Sequence, residues 1–143
     1  MELANVRRRV RAAVEQARRD AAERRANRDA AFRDYETFLA ATAIPSFRVF
    51  AAALIAEGHP YSVQTPAGSV RLSSDHAGGS FIELALDDTG APPVVVGRTT
   101  SGRGRRMVTS ERPLRAQQPI ADLVEEDVLD FLLAEIVTLL SVK

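Results

Sequence analysis

An α+β fold, helical at both ends around an antiparallel sheet, is predicted by three observations in this 143-residue chain. Apolar residues recur at three- and four-residue spacing before residue 57 and again after residue 124. Between residues 61 and 113 the period switches to two. Each break in that central stretch carries turn chemistry, so neighbouring strands are joined by short connections and pair antiparallel.

The first element is a long helix over residues 1–42. Leu3, Val6, Val10, Ala13 and Ala17 mark one stripe, which resumes at Ala31, Phe32, Tyr35, Phe38 and Leu39. From Arg18 to Ala30 the only apolar side chains are alanines, set among five arginines and three acids. Acid–arginine pairs at i,i+4, such as Glu15–Arg19, Asp20–Arg24 and Asp29–Arg33, each add about 0.2–0.5 kcal/mol to an isolated helix. The segment is therefore helical by itself and weakly committed to a partner, and no uninterrupted heptad run supports a long parallel coiled coil. Ile44-Pro45 is expected to break it, because proline lacks an N–H and disfavours helical geometry in the residue before it. This divides the chain into an extended Arg/Ala-rich helix over 1–42 and an α+β domain over 43–143.

A second, short helix follows from about residue 45 to 57, with Phe47, Phe50 and Leu54 on one face and Gly58 and Pro60 as its stop signal. Strands are expected at 61–65, 69–74, 80–87, 93–100 and 105–112, forming a five-stranded meander. Val70/Leu72, Ile82/Leu84/Leu86 and Val94/Val96 alternate clearly, while Arg71, Glu83 and Arg98 belong to the opposite face. The breaks are residues 66–68, 75–79, 87–90 and 101–104. A C-terminal helix then starts near Asp122, which fits a capping box with Glu125, or near Val124, where the cap would be poor, and runs to about residue 142. It is apolar around most of its circumference, so one sheet face cannot cover all of it and helix two or a second subunit must share it.

Composition narrows the function classes. The chain has no cysteine, which removes disulfides, thiolate metal sites and cysteine nucleophiles. The N-terminal residues lack an apolar leader core and run into Arg7-Arg8-Arg9. The C-terminal apolar stretch, 128–142, contains Asp130 and Glu135 and is too short to span a bilayer. A cytoplasmic protein without a membrane partner is the expectation.

Nineteen basic residues balance nineteen acids, and all the basic ones but Lys143 are arginine, as codon bias in a GC-rich genome produces. The charge lies in blocks. Residues 1–36 hold ten arginines against seven acids, residues 98–115 six arginines against Glu111, and residues 120–143 six acids against Lys143. Opposed blocks suggest charge matching within or between chains.

Polar constellations each have a structural reading. His59 sits at a helix exit and His76 in a loop beside Asp75, with Ser73 and Ser74 too near in sequence for an ordinary triad. Asp87-Asp88 occupies a turn, where aspartate bonds its own backbone. Glu125-Glu126-Asp127 opens a helix, where acids favour the positive end. Gly102 and Gly104 precede a strand, whereas a phosphate loop would open a helix.

The expectation is a non-catalytic, self-associating interaction or assembly module, a homo-oligomer and most economically a dimer, with no cofactor. Phe131, Leu132, Ile136 and Leu139 are expected to supply contact, and helix 1–42 offers a second surface to another protein. The competing reading is a nucleic-acid-binding protein whose hairpin tip, residues 101–106, presents Arg98, Arg103, Arg105 and Arg106 to phosphates. A small hydrolase ranks third.

Overall fold

The computed structural model describes residues 1–76, 79–103 and 105–141, and of Arg103 the backbone alone. Its elements follow the expected order. Helix α1 (Leu3–Phe38) leads through a five-residue π turn (Leu39–Ala43) into α2 (Ile44–Ala56). Strands β1 (Tyr61–Gln64), β2 (Ser69–Ser74), β3 (Phe81–Asp87), β4 (Val94–Arg103) and β5 (Arg106–Pro113) form one antiparallel sheet in sequence order. A 3-10 turn (Ile120–Asp122) precedes α3 (Glu125–Ser141).

Pro45 does not break the helix. Ile44 stays helical at φ −61° and ψ −48°, and its N–H bonds the Leu39 carbonyl five residues back. The wider turn relieves the proline ring of its clash with the preceding turn, and Ser46 Oγ donates to the Thr42 carbonyl at 2.7 Å. Leu3–Ala56 is therefore one helical rod of 54 residues, about 80 Å long at ~1.5 Å per residue.

The π turn also aligns the two apolar stripes. From Tyr35 to Phe47, twelve residues of α-helix advance about 1200°, leaving the two side chains about 120° apart. One extra residue in the wide turn takes back roughly 100°. Tyr35, Phe47, Phe50 and Leu54 thus share a face, and all are buried in one core.

The rod's far end follows the expected stop signal. Gly58 takes φ +86°, the His59 N–H bonds the Leu54 carbonyl at 2.8 Å, and the Gly58 N–H bonds that of Ile55 at 3.0 Å. This pairing is a Schellman cap, which needs a residue tolerant of positive φ.

Sheet register puts Val70, Leu72, Ile82, Leu84 and Val95 on one face, where α2 and α3 pack, and turns Val94 and Val96, expected on that face, to the side of Arg98. Gly97 lies on the helix-packed face under the Phe131 ring; a Cβ there would fall 2.1 Å from Phe131 Cζ. Arg112 closes the seam from β5, stacking over the same ring at 4.7 Å and bonding Glu135 at 2.9 Å.

Helix α3 starts at the later of the two expected positions. The 3-10 turn takes up Asp122, and the Asp127 carboxylate accepts the Val124 N–H at 2.9 Å. An acid at the third helical position thus reaches back to the cap backbone, one half of a capping box. Arg115 holds the same carboxylate at 3.0 Å.

Helix α1 crosses the end of the sheet that carries the β1–β2 and β3–β4 turns. Its residues 21–34 flank residues 90–93 and 117–120, and the Tyr35 hydroxyl donates to the Gly68 carbonyl at 2.6 Å. Burial, with the nearby charge of Glu83, pushes the Tyr35 hydroxyl up to about 12. Burial moves Tyr61 in the same direction. The folded chain therefore holds these protons more tightly than the unfolded chain. Their contribution to stability is full below the ordinary tyrosine range near ~10 and is lost as pH rises from there toward about 12. Urea unfolding between about pH 9 and about pH 11.5 should show stability falling with pH, and less steeply in Tyr35→Phe. An unchanged slope in that variant would refute the assignment.

Candidate interaction surface

The helical layer has a second side. Along α3, Val128, Phe131, Leu132, Ile136 and Leu139 face the sheet and are buried. The sequence expectation assigned Phe131, Leu132, Ile136 and Leu139 to contact between chains; these four are instead part of this chain's own core. The exposed apolar positions are Leu129, Leu133, Val137 and Leu140, with Leu133 49% and Val137 62% exposed. Helix α2 adds Val49, 71% exposed, to the same layer. Between the helices lies a groove of about 270 Å³, lined by Pro45, Val49, Ala53 and Leu129 and rimmed by Glu125 and Glu126.

The sequence hid this phase because nearly every α3 position is apolar. The acids carried a usable signal. Asp127, Phe131 and Glu135 are spaced i, i+4, i+8, and Asp127 and Glu135 pair with Arg115 and Arg112 of the basic block. That placed this stripe against β5. Part of the charge matching expected from the opposed blocks is therefore internal. Asp122, Glu125, Glu126 and Asp130 have no ion-pair partner among the described residues.

A second unpartnered surface is the start of the rod. Apart from half-buried Val6, every residue before Asp20 is exposed. Residues 3–19 form an arm about 25 Å long at ~1.5 Å per residue, with Leu3 74% and Val10 55% exposed. The expected i,i+4 ion pairs are not the ones made. Glu15–Arg18 at 4.0 Å is the ion pair found along α1 among the described residues, beside hydrogen bonds that Gln16 donates to Asp20 and accepts from Arg19.

The basic hairpin is rearranged relative to expectation. Pairing continues through Ser101↔Val108 and Gly102↔Met107 to Arg103↔Arg106. Strand pairing thus extends into the expected break at 101–104, with β4 ending at Arg103 and β5 starting at Arg106. Arg105 and Arg106 are exposed, while Gly104 and the Arg103 side chain lie outside the described residues. Arg98 sits five residues before the end of β4, on the face away from the helices. It bonds Glu111 at 3.1 Å and Glu83 at 3.5 Å, which keep its guanidinium charged.

That face carries a ladder running straight across the sheet: Gln64, Arg71, Glu83, Arg98 and Glu111 are successive register partners. Arg71 grips Glu83 through Nε at 3.0 Å and Nη2 at 2.7 Å and lies over the Phe81 ring at 4.0 Å. Opposite charges on adjacent strands fix the register and occupy both arginines.

The Ser/His/Asp group is dispersed. Asp75 accepts from Ser62, Ser73 donates to Gln64 at 2.7 Å, and Ser74 accepts the backbone N–H of His76 at 3.2 Å. Asp87 accepts from both the backbone and the hydroxyl of Thr89, which hold its carboxyl below the usual range.

By length and composition the rod also contains an 18-residue window, of mean hydropathy 1.8, able to cross a membrane. A third of it is buried, with 33% of the window inside the fold. No protein-family model matches the chain, and neither a curated protein nor a solved structure is similar to it.

Proposed function

We propose that the chain is a non-catalytic protein-interaction module that self-associates through the outward side of its helical layer. The observation that carries this reading is the exposed apolar row Leu129, Leu133, Val137 and Leu140 beside Val49. These side chains face solvent on helices whose opposite sides are already used for the core. Contiguous apolar surface of this kind marks binding sites on soluble proteins, and burying a large side chain contributes about 1.5–3 kcal/mol.

Light scattering on the full chain at about 50 µM should give a dimer mass. Leu133→Glu/Val137→Glu should give a folded monomer whose thermal midpoint falls only by what dimerisation lends the wild type, since the substitutions touch only exposed positions. A wild-type monomer at that concentration would overturn the reading.

A further inference from the structure

The α2/α3 face carries more than exposed apolar side chains. Around its groove stand Glu125 and Glu126, with Asp122 and Asp130 near by along the chain; all four are exposed and lack ion-pair partners among the described residues. Two such grooves pressed together would bring acid against acid, which costs free energy on desolvation. The best occupant is an apolar helix with positive flanks.

This chain owns one. The arm presents Leu3, Val6, Val10 and Val14 along one side, with Leu3, Val10 and Val14 among the exposed large apolar residues. Arg7, Arg8, Arg9 and Arg11 flank that stripe against Glu2 and Glu15, the latter paired with Arg18, and all four arginines are exposed. The lengths also agree. Leu3 to Val14 and Leu129 to Leu140 each span eleven residue steps, about 17 Å of helix. Spacings of three and four on both stripes suit ridge-into-groove packing of two helices.

Resting on the self-association reading, we infer that the arm of one copy docks on the α2/α3 face of a second copy, its arginines meeting the acids at the groove rim. This is helix-in-groove recognition. Exchanged reciprocally between two chains, it closes a two-fold dimer. The arm is then a functional part of the interface, which accounts for a helix extended well beyond the sheet it crosses.

The test uses two full-length variants. Val6→Asp/Val10→Asp disables the arm and leaves the face; Leu133→Glu/Val137→Glu disables the face and leaves the arm. Sedimentation should show each variant alone dissociating about tenfold or more readily than wild type. Mixed together, they should form a one-to-one heterodimer, because one intact arm then meets one intact face. Raising sodium chloride from about 0.05 M to about 0.5 M should weaken the wild-type dimer. Circular dichroism of each variant confirms that the fold persists, and Arg7→Glu/Arg8→Glu/Arg11→Glu provides an arm variant that leaves the apolar stripe intact.

The failures separate. A monomeric wild type refutes self-association and the docking together. A wild-type dimer that survives the arm substitutions refutes the docking alone and leaves self-association through the faces. A face variant that still dimerises, with the arm variant monomeric, shows arms pairing with each other and also refutes it. Wild-type chain that stays monomeric yet sediments with vesicles of equal phosphatidylcholine and phosphatidylglycerol replaces the second copy with a lipid surface.

Discussion

Phe131→Ala is expected to cost about 3–5 kcal/mol, the usual loss for a fully buried aromatic. The ring is 2% exposed, rests on the bare backbone of Gly97 and carries the Arg112 guanidinium at 4.7 Å. Its removal therefore opens a cavity and strips Arg112 of its stacking partner. Gly97→Ala is the complementary lesion. A methyl 2.1 Å from Phe131 Cζ cannot coexist with the ring where it stands, and overpacking of this kind costs about 1–3 kcal/mol. The two together should cost less than their sum, because the methyl enters space that the ring has left. Urea unfolding of both singles and the double gives the coupling, expected at about 0.5–3 kcal/mol. Strict additivity would show that the two positions do not share one space.

Glu83→Ala is expected to cost about 2–4 kcal/mol, well above the ~0–1 kcal/mol typical of exposed ion pairs. Only 9% of the Glu83 side chain is exposed, and both its oxygens are engaged, one by Arg71 and one by Arg98. Removing the carboxylate leaves Arg71 without its acid partner and Arg98 held by Glu111 alone, and it is the uncompensated charge that costs most. Glu83→Gln should fall between wild type and alanine, since it keeps the shape and one acceptor. The measurement is the urea midpoint at constant slope. A loss below about 0.5 kcal/mol in the alanine variant would mean that the ladder is surface decoration.

Much of the fold was legible because its signals are local. Gly58 with Pro60 marked the helix end through backbone chemistry that few other residues can supply. Alternation in Val70/Leu72 and Ile82/Leu84 set the sheet register because a one-residue slip would turn each of them to the other face. What failed was decided at a distance. Pro45 reads as a stop unless one knows that Tyr35 and Phe47 must share a face, which a π turn accomplishes. The hairpin reads as a four-residue break because Ser101 and Gly102 are turn formers, yet Met107 and Val108 offer them partners. The inward side of α3 was invisible because apolar residues nearly encircle it. Asp127 and Glu135 marked that side, but only once β5 was known to bring Arg115 and Arg112 alongside. The candidate surface was thus half legible: the surplus of apolar residues could be seen, but not which of them were surplus.

The π turn has a consequence for aim. Arm and core anchor belong to one rod, so Leu39–Ala43 sets the bearing on which the arm points. One residue fewer in that turn would swing the arm by roughly 100° about the rod axis while the sheet still gripped Phe47, Phe50 and Leu54. Leu3 and Val10 would then look out in another direction although no residue of the arm had changed. Insertions and deletions at this turn act as steering, exerted about two dozen residues from the stripe they redirect.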